Sequence, residues 1–151
     1  MNFNPIKREN VLRIYTDGAS RNNPGPAACA FIFLKNGDKS PIKEDVEYLG
    51  ETTNNVAEYT AIIRALESAT GYTRWQVVVH SDSKLVINQI NGDYRVKKKH
   101  LKELLRKIFE LRRFFERVEF KHVPRENQYI KKCDHLCNKK LDEVCGKIYN
   151  L

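Results

Sequence analysis

Between Asn55 and about Thr70 the spacing of apolar residues changes character. Ala57, Ala61, Ile62, Ala65, Leu66 and Ala69 recur at helical intervals. The preceding segments Val11–Asp17, Ala27–Leu34 and Lys43–Leu49 have strand composition, and Asn-Gly in "KNGDK" marks a hairpin turn between the last two. An antiparallel meander that gives way to a helix restricts the topologies open to the rest of the chain. "WQVVVHSD" (Trp75–Asp82) then reads as a buried strand and Ser83–Ile90 as a short helix. Val96–Phe115 reads as a long basic amphipathic helix, Val118–Val123 as a strand halted by Pro124, and Lys132–Cys145 as a last helix. The order β-β-β-α-β-α-α-β-α predicts an α/β fold, a mixed sheet with helices on its faces.

At 151 residues the chain fits one domain, 11–151, behind a short loose lead-in, 1–10. No stretch approaches the length of an apolar membrane span, and the polar start "MNFNPIKREN" lacks the apolar core of a signal peptide. A cytoplasmic setting and a monomer without an obligate protein partner are the expectations. The net charge of +8 and pI of about 9.4 suit a phosphate polymer as partner, although lysine-rich solubility alone gives the same numbers. Cys29, Cys133, Cys137 and Cys145 fit buried thiols better than a four-ligand zinc site.

The carboxylates fall in unusual places. Asp17 and Asp82 end predicted strands, where α/β sheets collect their sites. Glu58 begins the apolar stripe formed by Ala61, Ile62, Ala65 and Ala69. Asp134 likewise begins a stripe that continues through Cys137, Leu141, Cys145 and Ile148. Each acid has an ordinary explanation: Glu58 completes a capping box with Asn55, and Asp134 is a first-turn helix acid. A shared explanation is a divalent-cation centre, because converging carboxylates repel unless cations lie between them.

"YTDGASRNNPGPA", "TTNNVAEYTAI", "HSDSKLVINQINGDYRVK" and "HVPREN…CDHLCNKKLDE", in that order from Val11 to Gly146, together resemble type 1 ribonuclease H. The resemblance implies a five-stranded mixed sheet and hydrolysis of the RNA strand of RNA–DNA hybrids, leaving 5′-phosphate and 3′-hydroxyl ends. It implies two Mg²⁺ ions, with Mn²⁺ as a substitute, held by Asp17, Glu58, Asp82 and Asp134. Asp17 would bridge both ions, Asp134 would share the water-side ion, and Glu58 and Asp82 the leaving-group-side ion. It places substrate contacts at Gly18, Asn23, Asn54, Asn55 and Ser83, with DNA-strand phosphates at Arg95, Lys97, Lys98 and Lys99. The segment Arg125–Asp134 is about two residues longer than the family pattern and carries no histidine; His122 falls earlier, in the strand. The alternatives are a non-catalytic hybrid-binding module, a DNA-directed nuclease or recombinase on the same fold, or a fragment of a reverse transcriptase.

Overall fold

A computed structural model describes residues 6–149, with side chains through Gly146. Five strands, β1 (Val11–Ser20), β2 (Gly25–Lys35), β3 (Lys43–Thr52), β4 (Gln76–Ser81) and β5 (Arg117–His122), form one sheet in the order β3-β2-β1-β4-β5. The pairs β1–β2 and β2–β3 are antiparallel, and β1–β4 and β4–β5 are parallel, so the predicted mixed sheet is present. The helices are α1 (Asn54–Ala69), α2 (Lys84–Ile90), α3 (Lys99–Arg112) and α4 (Gln128–Tyr149).

Alternation along the strands divides the core in two. Leu12, Ile14, Phe31, Phe33, Val77 and Val79 pack with apolar residues of α1, α2 and α3 on one face. Tyr15, Ala28, Ala30, Ile32 and Leu34 meet Ile130, Cys133, Cys137 and Leu141 of α4 on the other. By this alternation Asp17, two residues beyond Tyr15, belongs to the α4 face. The Cys133 thiol donates to the Tyr15 carbonyl (3.4 Å) and the Cys137 thiol reaches the Asp17 carbonyl (3.8 Å), so both pack α4 against β1. The side chain of Ile148 lies outside the described residues.

Several boundaries differ from the sequence reading, each for a local reason. Asp17 does not end its strand: β1 continues beside β2 as far as Ser20↔Ala27, while its parallel pairing with β4 stops at Tyr15↔His80. Helix α1 is capped by Thr53, whose hydroxyl accepts from the Val56 N–H, rather than by Asn55. Helix α3 starts at Lys99; Val96 is instead a buried loop anchor. Helix α4 starts four residues before Lys132, because Asn127 Oδ1 accepts from the N–H groups of Tyr129 (2.9 Å) and Ile130 (3.2 Å). The lead-in is not loose from Ile6 onward: Ile6 is buried and its N–H donates to the Tyr72 carbonyl (2.9 Å). Residues 1–5 lie outside the described part.

Candidate active site

The site forms where β1 and β4 part company. Up to Tyr15 and His80 the strands are joined, and the join is reinforced. The Thr16 hydroxyl donates to the His80 carbonyl (3.3 Å), His80 Nδ1 lies 2.9 Å from the Ile14 carbonyl, and the Tyr15 and His80 rings stack at 4.3 Å. Since a carbonyl only accepts, Nδ1 carries the proton. Burial lowers the His80 pKa, so the ring stays neutral and structural. Beyond this clamp the strands separate at their carboxyl ends, where open α/β sheets place ligands.

Three carboxylates enter the gap. Asp17 projects from β1, Asp82 follows the last residue of β4, and Glu58 comes from the second turn of α1. One oxygen from each lies within 4.8 Å of the others. Glu58 does not reach back to cap its own helix. Its Oε1 accepts from the Gly18 N–H (2.5 Å) and its Oε2 from the Ser81 hydroxyl (3.3 Å). These bonds fix the carboxylate across the open end of the sheet. They require α1 to lie almost on β1, and Gly18 makes that approach available. A β-carbon at position 18 would stand 2.3 Å from the Ala57 carbonyl carbon and 2.5 Å from the Glu58 nitrogen.

Asp134 approaches from the opposite face. It sits in the second turn of α4, half-buried, so it is not a first-turn helix acid. It lines a cavity of about 280 Å³ together with Asp17, Asp82, Arg125, Glu126 and Lys131. The connection from β5 to α4 is the short segment Val123–Asn127, because α4 starts as early as Gln128. His122 is an exposed residue at the end of β5.

The electrostatics follow from burial. Asp17 is 6% exposed and Glu58 8% exposed, with no cationic partner against either carboxylate among the described residues. Desolvation is the leading cause that raises the Asp17 pKa to about 9, and the charges of Glu58, Asp82 and Asp134 push the same way. Glu58 is raised to about 8 by burial and by Asp82, against the opposing pull of the Gly18 N–H. Asp82 is raised by burial and partly relieved by Arg125. An all-oxygen donor set, largely buried, crowded with like charge and relieved only in part, at Asp82, by Arg125, has the chemistry of a hard divalent-cation site.

A second constellation lies beside the first. The Ser20 N–H donates to Asn54 Oδ1 (2.7 Å), and the Asn54 N–H donates to Asn23 Oδ1 (2.9 Å). These bonds clip the β1–β2 loop to the start of α1. Asn23, Pro24, Thr53, Asn55, Lys98 and His100 then line a groove of about 320 Å³. Ser83 caps α2, its hydroxyl accepting from the Val86 N–H, and its own N–H donates to Ser81 Oγ. Arg95, Lys97 and Lys99 are exposed beside the groove. Sequence reasoning missed Thr53 and His100 as groove residues and Ser81 as a support for Glu58. A hydroxyl closing the apolar run "VVVHS" was the one available sign of the last.

A mixed five-stranded sheet with acids from β1, α1, the end of β4 and α4 meeting at one edge defines the ribonuclease H-like class of proteins. The reverse transcriptase-like family model matches residues 15–139. A ribonuclease HI of Halobacterium salinarum is 37% identical over 133 residues, covering 88% of this chain and 65% of that protein. A bifunctional protein of Mycobacterium tuberculosis is 35% identical over 130 residues, covering 85% of this chain and 35% of its own length. The crystal structure of LC11-RNase H1 in complex with an RNA/DNA hybrid superposes with a TM-score of 0.83 at 37% identity, covering 89% of this chain and 99% of that one. The chain belongs to the type 1 ribonuclease H family.

Proposed function

We propose that the chain is an endoribonuclease that hydrolyses the RNA strand of RNA–DNA hybrids. The observation that carries this reading is the like-charged group of buried Asp17 and Glu58 with half-buried Asp82, facing Asp134 across one cavity in a chain of net charge +8. The acidic centre suits cations, and the basic surface around it suits a nucleic acid.

Two Mg²⁺ ions, with Mn²⁺ as a substitute, fit the oxygen donors. When bound, they supply activation of the attacking water and charge stabilisation at the phosphate and the leaving 3′ oxygen. Asp17 would hold both ions, Asp134 the one on the water side, and Glu58 and Asp82 the one on the leaving-group side. The chain's own contribution is rigidity. The strand clamp at Tyr15–His80 fixes Asp17, and the bonds from Gly18 and Ser81 fix Glu58. Arg125 and Lys131 add positive charge to the cavity wall where a phosphate would enter.

The groove completes the substrate surface. Asn23 and Asn54 use their side-chain oxygens internally, which leaves their amide N–H₂ groups as donors for ribose 2′-hydroxyls and phosphates. Asn55, Gly18 and Ser83 belong to the same edge. Helix α3 begins here with no side-chain cap and no acid in its first turn. Its free N–H groups, together with Arg95, Lys97, Lys98 and Lys99, suit the phosphates of the DNA strand. Cleavage should therefore be general in base sequence and specific in sugar, with 5′-phosphate and 3′-hydroxyl ends.

The test is a panel of labelled hybrid, RNA duplex and DNA duplex, each with Mg²⁺ and with EDTA. The expected result is metal-dependent cutting of the RNA in the hybrid alone. DNA cutting would transfer the chain to a DNA-directed nuclease, and tight hybrid binding without turnover would make it a binding module.

A further inference from the structure

The pole of the molecule opposite the acidic centre carries a feature the proposed reaction does not use. Trp75 immediately precedes β4, whose other end leads to Asp82, so six strand residues, about 20 Å, separate the two. Trp75, Phe114, Ile6, Tyr72 and Arg74 line a groove of about 440 Å³. Phe114 is 52% exposed, the largest exposure among the large hydrophobic side chains described, and packs edge-on to Phe115 (5.3 Å). Two guanidinium groups flank the indole: Arg8 and Arg74 lie 5.0 and 5.2 Å from its centroid.

Charge surrounds the groove. Arg8 is paired with Glu116 (2.7 Å), but Arg74, Arg112 and Arg113 have no carboxylate within 4.0 Å among the described residues. Helix α3 connects this pole to the substrate groove. It starts beside Lys98 and ends at Arg112, a rise of about 21 Å over its 14 residues. Lys102 and Arg106 lie one turn apart on its exposed side and Arg113 caps its C-terminus, a basic track between the two sites that Glu110 interrupts.

We propose that this groove receives a single-stranded nucleic acid tail that continues from the duplex bound at the acidic centre and runs along α3. The track and the arginines complement a phosphate backbone. The apolar groove with an exposed phenyl ring selects among nucleic acids. In a duplex the bases are already stacked and offer only phosphates, so the aromatic lining stays unfilled; unpaired bases supply faces for it. The proposal rests on the hybrid-cleaving reading only for the duplex end of the path.

Trp75 is the sole tryptophan, so its emission reports directly on the groove. The experiment titrates the full chain in EDTA with a blunt hybrid, with the same hybrid carrying a single-stranded extension, and with oligo(dT). The tailed hybrid should shift or quench Trp75 emission and bind about tenfold more tightly than the blunt one. Phe114→Ala and Arg74→Ala should each remove most of that gain. Phe114 is exposed, so the variant should fold, and its cleavage of blunt hybrid checks this. Equal affinity for tailed and blunt hybrids with unchanged emission would overturn the proposal, as would a gain that survives both substitutions. Emission that depends on protein concentration alone and is lost in Phe114→Ala would give the groove to a second copy of the chain and equally overturn it. Failure to cleave any hybrid, with an intact response to oligo(dT), would remove the proposed function and leave this site standing.

Discussion

Replacing Asp17 by Asn is expected to reduce hybrid cleavage by at least about 10³-fold while making the metal-free protein more stable at alkaline pH. The two effects share one cause. Asp17 sits among Glu58, Asp82 and Asp134 in a buried setting that raises its pKa from 3.8 to about 9. A carboxyl whose folded pKa is raised is favoured in its protonated form. The stability from that form is fully present below pH 3.8 and is lost as pH climbs through about 9. Asn keeps the shape and cannot ionise, so the variant escapes the loss. In EDTA near pH 9 it should melt above wild type by about 3 °C or more, the equivalent of about 1 kcal/mol. Circular dichroism melts at pH 5 and pH 9, with parallel cleavage assays, check both halves. A variant that cuts at the wild-type rate would remove Asp17 from the centre. A variant that melts below wild type at pH 9 would remove the repulsion argument.

Gly18→Ala should be among the most damaging single methyl additions in the molecule. The new β-carbon would stand 2.3 Å from backbone of α1, and a backbone atom has no rotamer with which to yield. Either α1 moves off β1 or β1 bends. In both cases Glu58 loses its bond from the Gly18 N–H and leaves the other acids. The expected cost is about 3 kcal/mol, a fall in melting temperature of about 10 °C, with cleavage reduced even at temperatures where the variant is folded. Melting within a degree or two of wild type would show that α1 does not press on Gly18 as described.

The reason for Gly18 illustrates what the sequence could and could not convey. In "YTDGAS" a glycine after an acid reads as freedom to turn or room for a substrate. The structure adds a second role, the close approach of a helix 40 residues away, which no local pattern encodes. The sheet was legible because its strands carry their own signals: "VVVHS" is too apolar and too short for anything but a buried strand, and Ala57 to Ala69 keep helical spacing without interruption. The acids were legible through the family motifs. Glu58 sits at the head of the apolar stripe because it faces into the molecule, and the structure gives its carboxylate to Gly18 and Ser81.

The less legible features depend on choices among equivalent local signals. "TTNN" offers four acceptable helix caps in a row, and the selection of Thr53 follows from where Asn54 is bound by Ser20 and Asn23. Asn127 could serve as a loop residue or a cap, and only its two bonds to Tyr129 and Ile130 start α4 before Lys132. That earlier start places Asp134 one turn deeper than a first-turn acid while keeping it on the cavity wall. Groove residues such as Thr53 and His100 come together across three segments and are invisible to spacing within any one of them.

The central claim is that acids from four separate elements act as one cation centre. It is tested most directly by calorimetric titration of Mn²⁺ into wild type, Asp17→Asn and Asp134→Asn, each with an uncleavable hybrid, with cleavage of an ordinary hybrid assayed separately on the same protein preparations. The account predicts that wild type binds metal and cuts, that Asp17→Asn loses both, and that Asp134→Asn weakens metal binding and cleavage together. Undiminished metal binding in Asp17→Asn, or wild-type cleavage that persists in EDTA, would contradict it.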